Sequence, residues 1–159
     1  MPPRPAAAPP PGPAVVIDTN IALDLLLFED PATLSLRQAL AGLRLHWLAT
    51  APMRDELARV LGYERLRRRI DAAGVPADAV LAGFDALARI VPAPLRARLV
   101  CRDPDDQKFV DLAVERSCLL LSKDRDLLSM KKRLQALQVV TSATLAAHNE
   151  TFWLTGSAP

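Results

Sequence analysis

Four acidic residues lie beside short apolar runs, and together they could do metal chemistry. Asp18 follows "AVVI", Glu56 lies in "MRDELARVL", Asp106 in "CRDPDDQKF" and Asp124 in "LLLSKDRDLL". Carboxylates brought together repel one another and raise each other's pKa unless a cation compensates them. Mg²⁺ and Mn²⁺ prefer such oxygen ligands. A metal bound there can lower the pKa of a bound water and polarise a phosphodiester for attack.

Each acid also has a local explanation. Asp105 and Asp106 precede an amphipathic run, where they suit the N-cap and first turn of a helix. Glu56 can pair with a neighbouring arginine on a helix surface, which contributes roughly 0.3 to 0.5 kcal/mol. Asp126 can cap the helix that follows Asp124. On spacing alone, a shared site and separate local roles both stay open.

The elements that would position these acids are short buried strands alternating with helices. Helical spacing of apolar residues recurs in "MRDELARVL" and "DDQKFVDLAVE", while Asp30-Pro31 is typical of a helix start and three glycines of helix ends. This alternation predicts an α/β fold, a central parallel sheet of about five strands covered on both faces. Sites in such sheets form outside the carboxyl ends of the strands, so the acids can converge there. The predicted strands are residues 14–17, 45–49, 88–92, 118–122 and 137–141, and the glycines are Gly42, Gly62 and Gly74.

The 159-residue chain is long enough for one domain, which we predict over residues 14–143. Aromatic residues make up only 4% while apolar residues make up 50%, so the core must consist of Leu, Ala and Val. Residues 1–13 are rich in proline, and we expect a disordered leader there. Residues 144–159 form a C-terminal tail whose Phe152, Trp153 and Leu154 could dock on the domain or on a partner.

Charge and cysteine content exclude some classes of protein. A net charge of +2 is too small to indicate a nucleic-acid partner by itself, although 16 of the 20 basic residues are arginine and "ERLRRRI" clusters several of them. Cys101 and Cys118 do not form a disulfide framework, and with His46 and His148 they do not show zinc-ligand spacing. No apolar run approaches the ~20 residues of a membrane span. A cytoplasmic protein is therefore expected.

The motifs "VVIDTNIAL", "DELARVL", "DPDDQKFVDLA" and "LLLSKDRDLL", in that order, resemble the four motifs of the PIN-domain ribonucleases. They are most similar to the branch that supplies toxins of toxin–antitoxin systems. The resemblance implies a strand order of 3-2-1-4-5 and a metal-dependent endoribonuclease. It also implies that Asp18, Glu56, Asp106 and Asp124 are the catalytic residues and hold Mg²⁺ or Mn²⁺.

The resemblance extends to supporting residues and to partners. Asn20 and Ser122 match polar positions beside the first and last acids, where they would orient an acid or a substrate oxygen. An RNA substrate, a small antitoxin protein and a homodimer are implied as partners. The basic residues next to the acids in sequence are candidates for RNA-backbone contacts, namely Arg54, Lys123 and Arg125, with Arg65 to Arg69 as a more distant group.

Several alternatives remain at this stage. Asp103 and Asp105 compete with Asp106 for the third position, and Asp126 competes with Asp124 for the fourth. A phosphatase of the haloacid-dehalogenase type also places an aspartate after its first strand, but it needs a second aspartate two residues later, where this chain has Asn20. A non-catalytic RNA-binding or scaffold domain would bind metal for stability alone.

Overall fold

The computed structural model describes residues 13–145, which form a five-stranded sheet flanked by helices. All four strand pairs are parallel, and the strand order is β3-β2-β1-β4-β5. The predicted α/β fold and its strand order are therefore confirmed. The strands are β1 (Ala14–Ile17), β2 (His46–Ala49), β3 (Ala88–Ile90), β4 (Leu119–Leu121) and β5 (Val140–Ser142).

The helices alternate with the strands, as the apolar spacing predicts. Gly42, Gly62 and Gly74 are the C-caps of α2, α3 and α4, and Gly74 adopts a left-handed φ of 69° that favours glycine. Two short 3₁₀ turns, Pro31–Thr33 and Pro104–Asp106, precede α2 and α6. The helices of the described region are α1 (Thr19–Leu26), α2 (Leu34–Ala41), α3 (Ala51–Leu61), α4 (Glu64–Ala73), α5 (Ala77–Leu87), α6 (Gln107–Arg116), α7 (Arg125–Ser129) and α8 (Lys131–Ala136).

The last strand begins later than the sequence predicts. Leu137 is the C-cap of α8, and Gln138 turns the chain with a φ of 64°, so the predicted strand 137–141 covers a helix end and a turn as well as the start of β5. The predicted leader lies outside the described residues except for Pro13, and the predicted tail lies outside them except for residues 144 and 145.

β1 and β4 lie at the centre of the sheet and bring their carboxyl ends together. Val15 and Val16 are fully buried, and the three leucines of β4 are at most 1% exposed. The register pairs Ile17 with Leu121, so the residues that follow these strands, Asp18 and Ser122, are neighbours. Within residues 13–145 no helix has the length and apolar character needed to cross a membrane.

Candidate active site

One serine hydroxyl joins the acids that follow the two central strands. The backbone N–H of Asp18 donates to the Leu121 carbonyl at 3.0 Å, which fixes the two strand ends side by side. Ser122 Oγ donates to Asp18 Oδ2 and accepts a hydrogen bond from the backbone N–H of Asp124 at 3.0 Å. Because Ser122 is fully buried and Asp18 is 4% exposed, this contact is shielded from water. Ser122 therefore orients the Asp18 carboxylate and ties it to the backbone of Asp124.

Asp18 is also the N-cap of α1. Its Oδ1 accepts a hydrogen bond from the Ile21 N–H at 3.0 Å, as a helix N-cap does. Burial raises the pKa of Asp18, against the opposing effect of the hydrogen bonds from Ser122 and Ile21, and the charge of Asp124 raises it further. A buried carboxylate beside a second carboxylate attracts a cation.

Asp124, rather than Asp126, faces the other acids. Asp124 is the N-cap of α7, where its Oδ1 accepts from the N–H groups of Asp126 at 2.8 Å and Leu127 at 3.3 Å. The charge of Asp124 contributes to the raised pKa of both Asp18 and Asp106. Asp126 is not among the charges that shift the pKa of Asp18 or of Asp106. Of the two candidates for the fourth position, Asp124 is therefore the one near the cluster.

Asp106 ends the second 3₁₀ turn and carries an open carboxylate oxygen. Its Oδ2 is buried and has no hydrogen-bond partner among residues 13–145. Asp103 Oδ1, in contrast, accepts from the Asp105 N–H at 2.9 Å, and Asp105 is exposed. Among the three neighbouring acids, Asp106 is the one with a buried carboxylate oxygen that lacks a hydrogen-bond partner in the described part of the chain.

The pKa of Asp106 shows that the acids converge. Burial has the largest effect on this pKa, and together with four neighbouring negative charges it raises the pKa to about 7. The energy between two charges falls as their separation grows, so acids that act on Asp106 lie near it. The contributing acids, in order of effect, are Asp124, Asp103, Asp18 and Glu56.

Glu56 is held by donors of the chain itself. α3 packs against α1, and the Thr19 hydroxyl donates to Glu56 Oε2 across this contact. Lys108 Nζ, on α6, donates to Glu56 Oε1 at 2.8 Å and also to the Asp105 carbonyl. The Glu56 side chain is 12% exposed, so this ion pair is largely shielded from solvent. Glu56 thus lies beside the acids with Lys108 as its nearer counter-ion, and Arg59 Nη2 lies 4.0 Å from the same oxygen, as expected for a neighbouring arginine on the helix.

The sequence did not predict three contacts near the site. Two are the hydrogen bonds of Thr19 and Lys108 to Glu56, and the third is the ion pair between Lys123 and Asp24. Lys123 Nζ lies 2.5 Å from Oδ2 of Asp24, a residue of α1. Asp24 lies within the apolar run "IALDLLLF", and nothing in that run indicates that it has a role at the site. Lys108 lies within a recognised motif, but a lysine on an amphipathic helix is typical of a solvated face. Only its contact with Glu56, 52 residues away in sequence, distinguishes it.

The predicted RNA contacts have different environments in the structure. Arg54 forms a two-bond ion pair with Asp85 on α5, at 2.7 and 2.8 Å. Lys123 is paired with Asp24, whereas Arg125 is exposed and has no ion pair within the described residues. Asn20 is exposed too, and the described part of the chain offers it no hydrogen-bond partner.

The cluster has the oxygen ligands that hard divalent cations prefer, but its side chains are not arranged as a metal site. Within residues 13–145, no three His, Cys, Asp or Glu side chains are placed to hold one metal ion together. Asp18, Asp124 and Glu56 instead accept hydrogen bonds from the chain. The candidate metal ligands are all carboxylate oxygens, which suit hard cations. Among them, the buried Oδ2 of Asp106 has no hydrogen-bond partner from the described residues. Cation binding therefore requires side-chain rotations around Asp106.

Comparison with known proteins agrees with the topology and with the order of the motifs. A family model described as PIN domain matches residues 14–126, which include all four acids. A search among curated proteins finds no matching relative. The match covers more than two thirds of the sequence. The chain belongs to the PIN domain family, whose members are generally nucleases that use divalent metals.

Proposed function

We propose that this protein is a Mg²⁺- or Mn²⁺-dependent endoribonuclease. The observation that carries the proposal is the buried, unpartnered Oδ2 of Asp106 beside the charges of Asp18, Asp124 and Glu56. A buried carboxylate oxygen without a donor is costly, and mutual repulsion of the acids adds to that cost. A divalent cation removes both, and its affinity for oxygen ligands matches this set.

Residues of the chain would then have two roles in hydrolysis, as ligands of the cation and as groups that position those ligands. Asp18, Asp106, Asp124 and Glu56 would hold the cation, which when bound supplies a water of lowered pKa and polarises the phosphodiester. Ser122 keeps Asp18 in place through its hydroxyl. Thr19 and Lys108 restrain Glu56 in the same way. Contacts of this kind limit the orientations of metal ligands, and rotation of the carboxylates toward Asp106, with the cation replacing Lys108 at Glu56, would complete the ligand set.

Cleavage of a mixed RNA pool during titration with Mg²⁺ or Mn²⁺ tests this function. We expect the wild-type protein to cut RNA only with metal, and Asp18→Asn, purified in the same way, to cut none. Asp124→Asn should also be inactive, whereas Asp126→Asn serves as its matched control and should retain activity. The proposal fails if wild type cuts nothing with either metal or if Asp18→Asn cuts equally well.

Other outcomes of the same experiment identify the rival functions. A rise in Tm with metal but no RNA product would indicate a non-catalytic, metal-stabilised domain. An aspartyl-phosphate trapped on Asp18 would indicate phosphatase chemistry instead.

The resemblance to toxin nucleases supports a proposal about cellular role. We infer that the protein acts in the cytoplasm as a toxin, forms a homodimer and is restrained by a small antitoxin protein. Expression of wild type in a bacterial host should arrest growth, Asp18→Asn should not, and the small protein encoded beside the gene should restore growth and co-purify. Equal growth with wild type and Asp18→Asn would contradict the toxin role, and light scattering after size exclusion tests the dimer.

A further inference from the structure

The connection between β3 and the second 3₁₀ turn, residues 91–102, presents a row of arginines. Burial alternates along it: Cys101 is buried and Ala97 and Leu99 are half-buried, while the residues between them are exposed. The outward positions include Arg96, Arg98 and Arg102, which we call the arginine ridge. The sequence gives three arginines in seven residues, and the burial pattern shows that all three are exposed.

Two side chains of α6 hold the inward side of this connection. Gln107 Oε1 accepts from the Cys101 N–H at 2.7 Å, and Gln107 Nε2 donates to the Leu99 carbonyl at 2.9 Å. Asp111 Oδ1 accepts from the Ala97 N–H at 2.8 Å. Gln107 and Asp111 also bond to each other at 2.8 Å. The backbone beneath the arginine ridge is therefore fixed, although it has no regular secondary structure.

The charges of the arginine ridge are available to a ligand. None of its three guanidinium groups has an ion-pair partner within residues 13–145. By contrast, Arg54 and Lys123 are engaged with Asp85 and Asp24. Exposed arginines without carboxylate partners keep their planar donor groups for bidentate contacts with phosphate.

The arginine ridge leads directly to the acids. Arg102 immediately precedes Asp103, and the 3₁₀ turn that ends at Asp106 follows. Gln107, which holds the backbone at Cys101, is the residue after Asp106. A chain of phosphates lying along the ridge would thus be directed toward the candidate active site.

We propose that the arginine ridge binds the phosphate backbone of single-stranded RNA next to the cleavage site. The identification of the nucleic acid as RNA rests on the proposed function. Phosphate contacts of this kind fix the position of a strand without reading its bases. The ridge therefore contributes affinity and register, and little sequence preference.

Binding of a fluorescently labelled single-stranded RNA 12-mer in EDTA, where metal-dependent cleavage is blocked, tests the ridge. The variant is Arg96→Gln/Arg98→Gln/Arg102→Gln. The matched control removes three exposed charges from α8, which packs on β5 at the opposite edge of the sheet. The control substitutions are Lys131→Gln, Lys132→Gln and Arg133→Gln.

The readout is the slope of log Kd against log salt concentration. Each lost contact with a single strand lowers the slope by about 0.7, so the ridge variant should lose about 2. Arg98→Gln alone should lose about 0.7, and the α8 control should keep the wild-type slope and affinity. An unchanged slope in the ridge variant, or an equal loss in the control, would overturn the proposal.

Two further measurements separate the possible failures. If wild type cuts no RNA with either metal but the ridge variant shows the reduced slope, the nuclease function fails and the ridge stands. If the ridge variant binds RNA like wild type but loses binding to a poly-glutamate peptide, the ridge serves an acidic protein partner and the RNA proposal is overturned. Because the substituted side chains are exposed, Tm should be unchanged and serves as the folding control.

Discussion

Neutralising Asp106 should stabilise the metal-free protein, although it removes a predicted catalytic residue. Asp106 is crowded by other carboxylates, and its pKa rises from an ordinary value of 3.8 to about 7. The folded state therefore binds a proton more tightly than the unfolded state. This contribution to stability is fully present below pH 3.8 and is lost as pH rises through about 7. Asp106→Asn cannot ionise at this position, so it should not lose this contribution to stability as pH rises.

The magnitude follows from the pKa difference. One pKa unit corresponds to about 1.4 kcal/mol, so a fully buried carboxyl with this change would lose about 4 kcal/mol. Asp106 is only half-buried, and solvent screening reduces the effect. We expect the free energy of unfolding of Asp106→Asn to exceed that of wild type by about 1 to 2 kcal/mol at pH 8 and to equal it near pH 4.

Urea unfolding in EDTA at pH 4, 6 and 8 measures this difference. Groups outside the cluster titrate alike in both proteins, so the difference between them reports the titration of Asp106 and of the acids coupled to it. Added Mn²⁺ should reverse the order at pH 8, because only wild type retains the full ligand set. An Asp106→Asn protein that is less stable than wild type at pH 8 in EDTA would refute the electrostatic reasoning.

Three other predictions concern neighbouring groups. Ser122→Ala removes the buried hydroxyl that joins the Asp18 carboxylate to the backbone N–H of Asp124, and we expect a loss of about 1.5 to 3 kcal/mol in urea unfolding. Ser129→Ala, which removes an exposed bond, should change stability by less than about 0.5 kcal/mol, and equal losses would contradict the buried role. Lys108→Met removes the nearer of two cations at Glu56 and leaves Arg59 Nη2, which lies 4.0 Å from Oε1, so Tm in EDTA should fall while the rise in Tm with Mn²⁺ increases; an unchanged response to Mn²⁺ would argue against competition between lysine and metal. Burial raises the pKa of Cys118 to about 12, so iodoacetamide at pH 8 should label it only after unfolding, and rapid labelling of the native protein would contradict that burial.

The sequence predicted the sheet and the first acid because both depend on local order. An apolar run that ends at an aspartate places Asp18 at the carboxyl end of a strand, whatever the rest of the chain does. Local sequence order could not decide which of Asp103, Asp105 and Asp106 belongs to the site. The choice depends on the 3₁₀ turn, in which Asp103 is the N-cap, Asp105 is exposed and Asp106 is half-buried with one buried oxygen that is unpartnered among residues 13–145.

The ion pairs between distant parts of the sequence could not be predicted because their partners come together only on folding. Lys108 and Glu56 are 52 residues apart, and Arg54 and Asp85 are 31 apart. No local pattern distinguishes a paired arginine from a free one. The sequence therefore indicated Arg54 as an RNA contact only because it is close to Glu56 in sequence. In the structure Arg54 is paired with Asp85, whereas the arginines of the ridge have no ion-pair partner among the described residues.

The most direct test of the central claim is the rate of RNA cleavage with Mn²⁺ by Asp106→Asn compared with Asp105→Asn. Both variants lose one charge from adjacent positions, but only Asp106 has the buried open oxygen. We predict that Asp106→Asn loses activity by about 100-fold or more, since even outer contacts of a metal site affect activity about 10- to 100-fold. Asp105→Asn should retain wild-type activity. Equal rates for the two variants, or cleavage by wild type that persists in EDTA, would contradict a metal-dependent nuclease centred on Asp106.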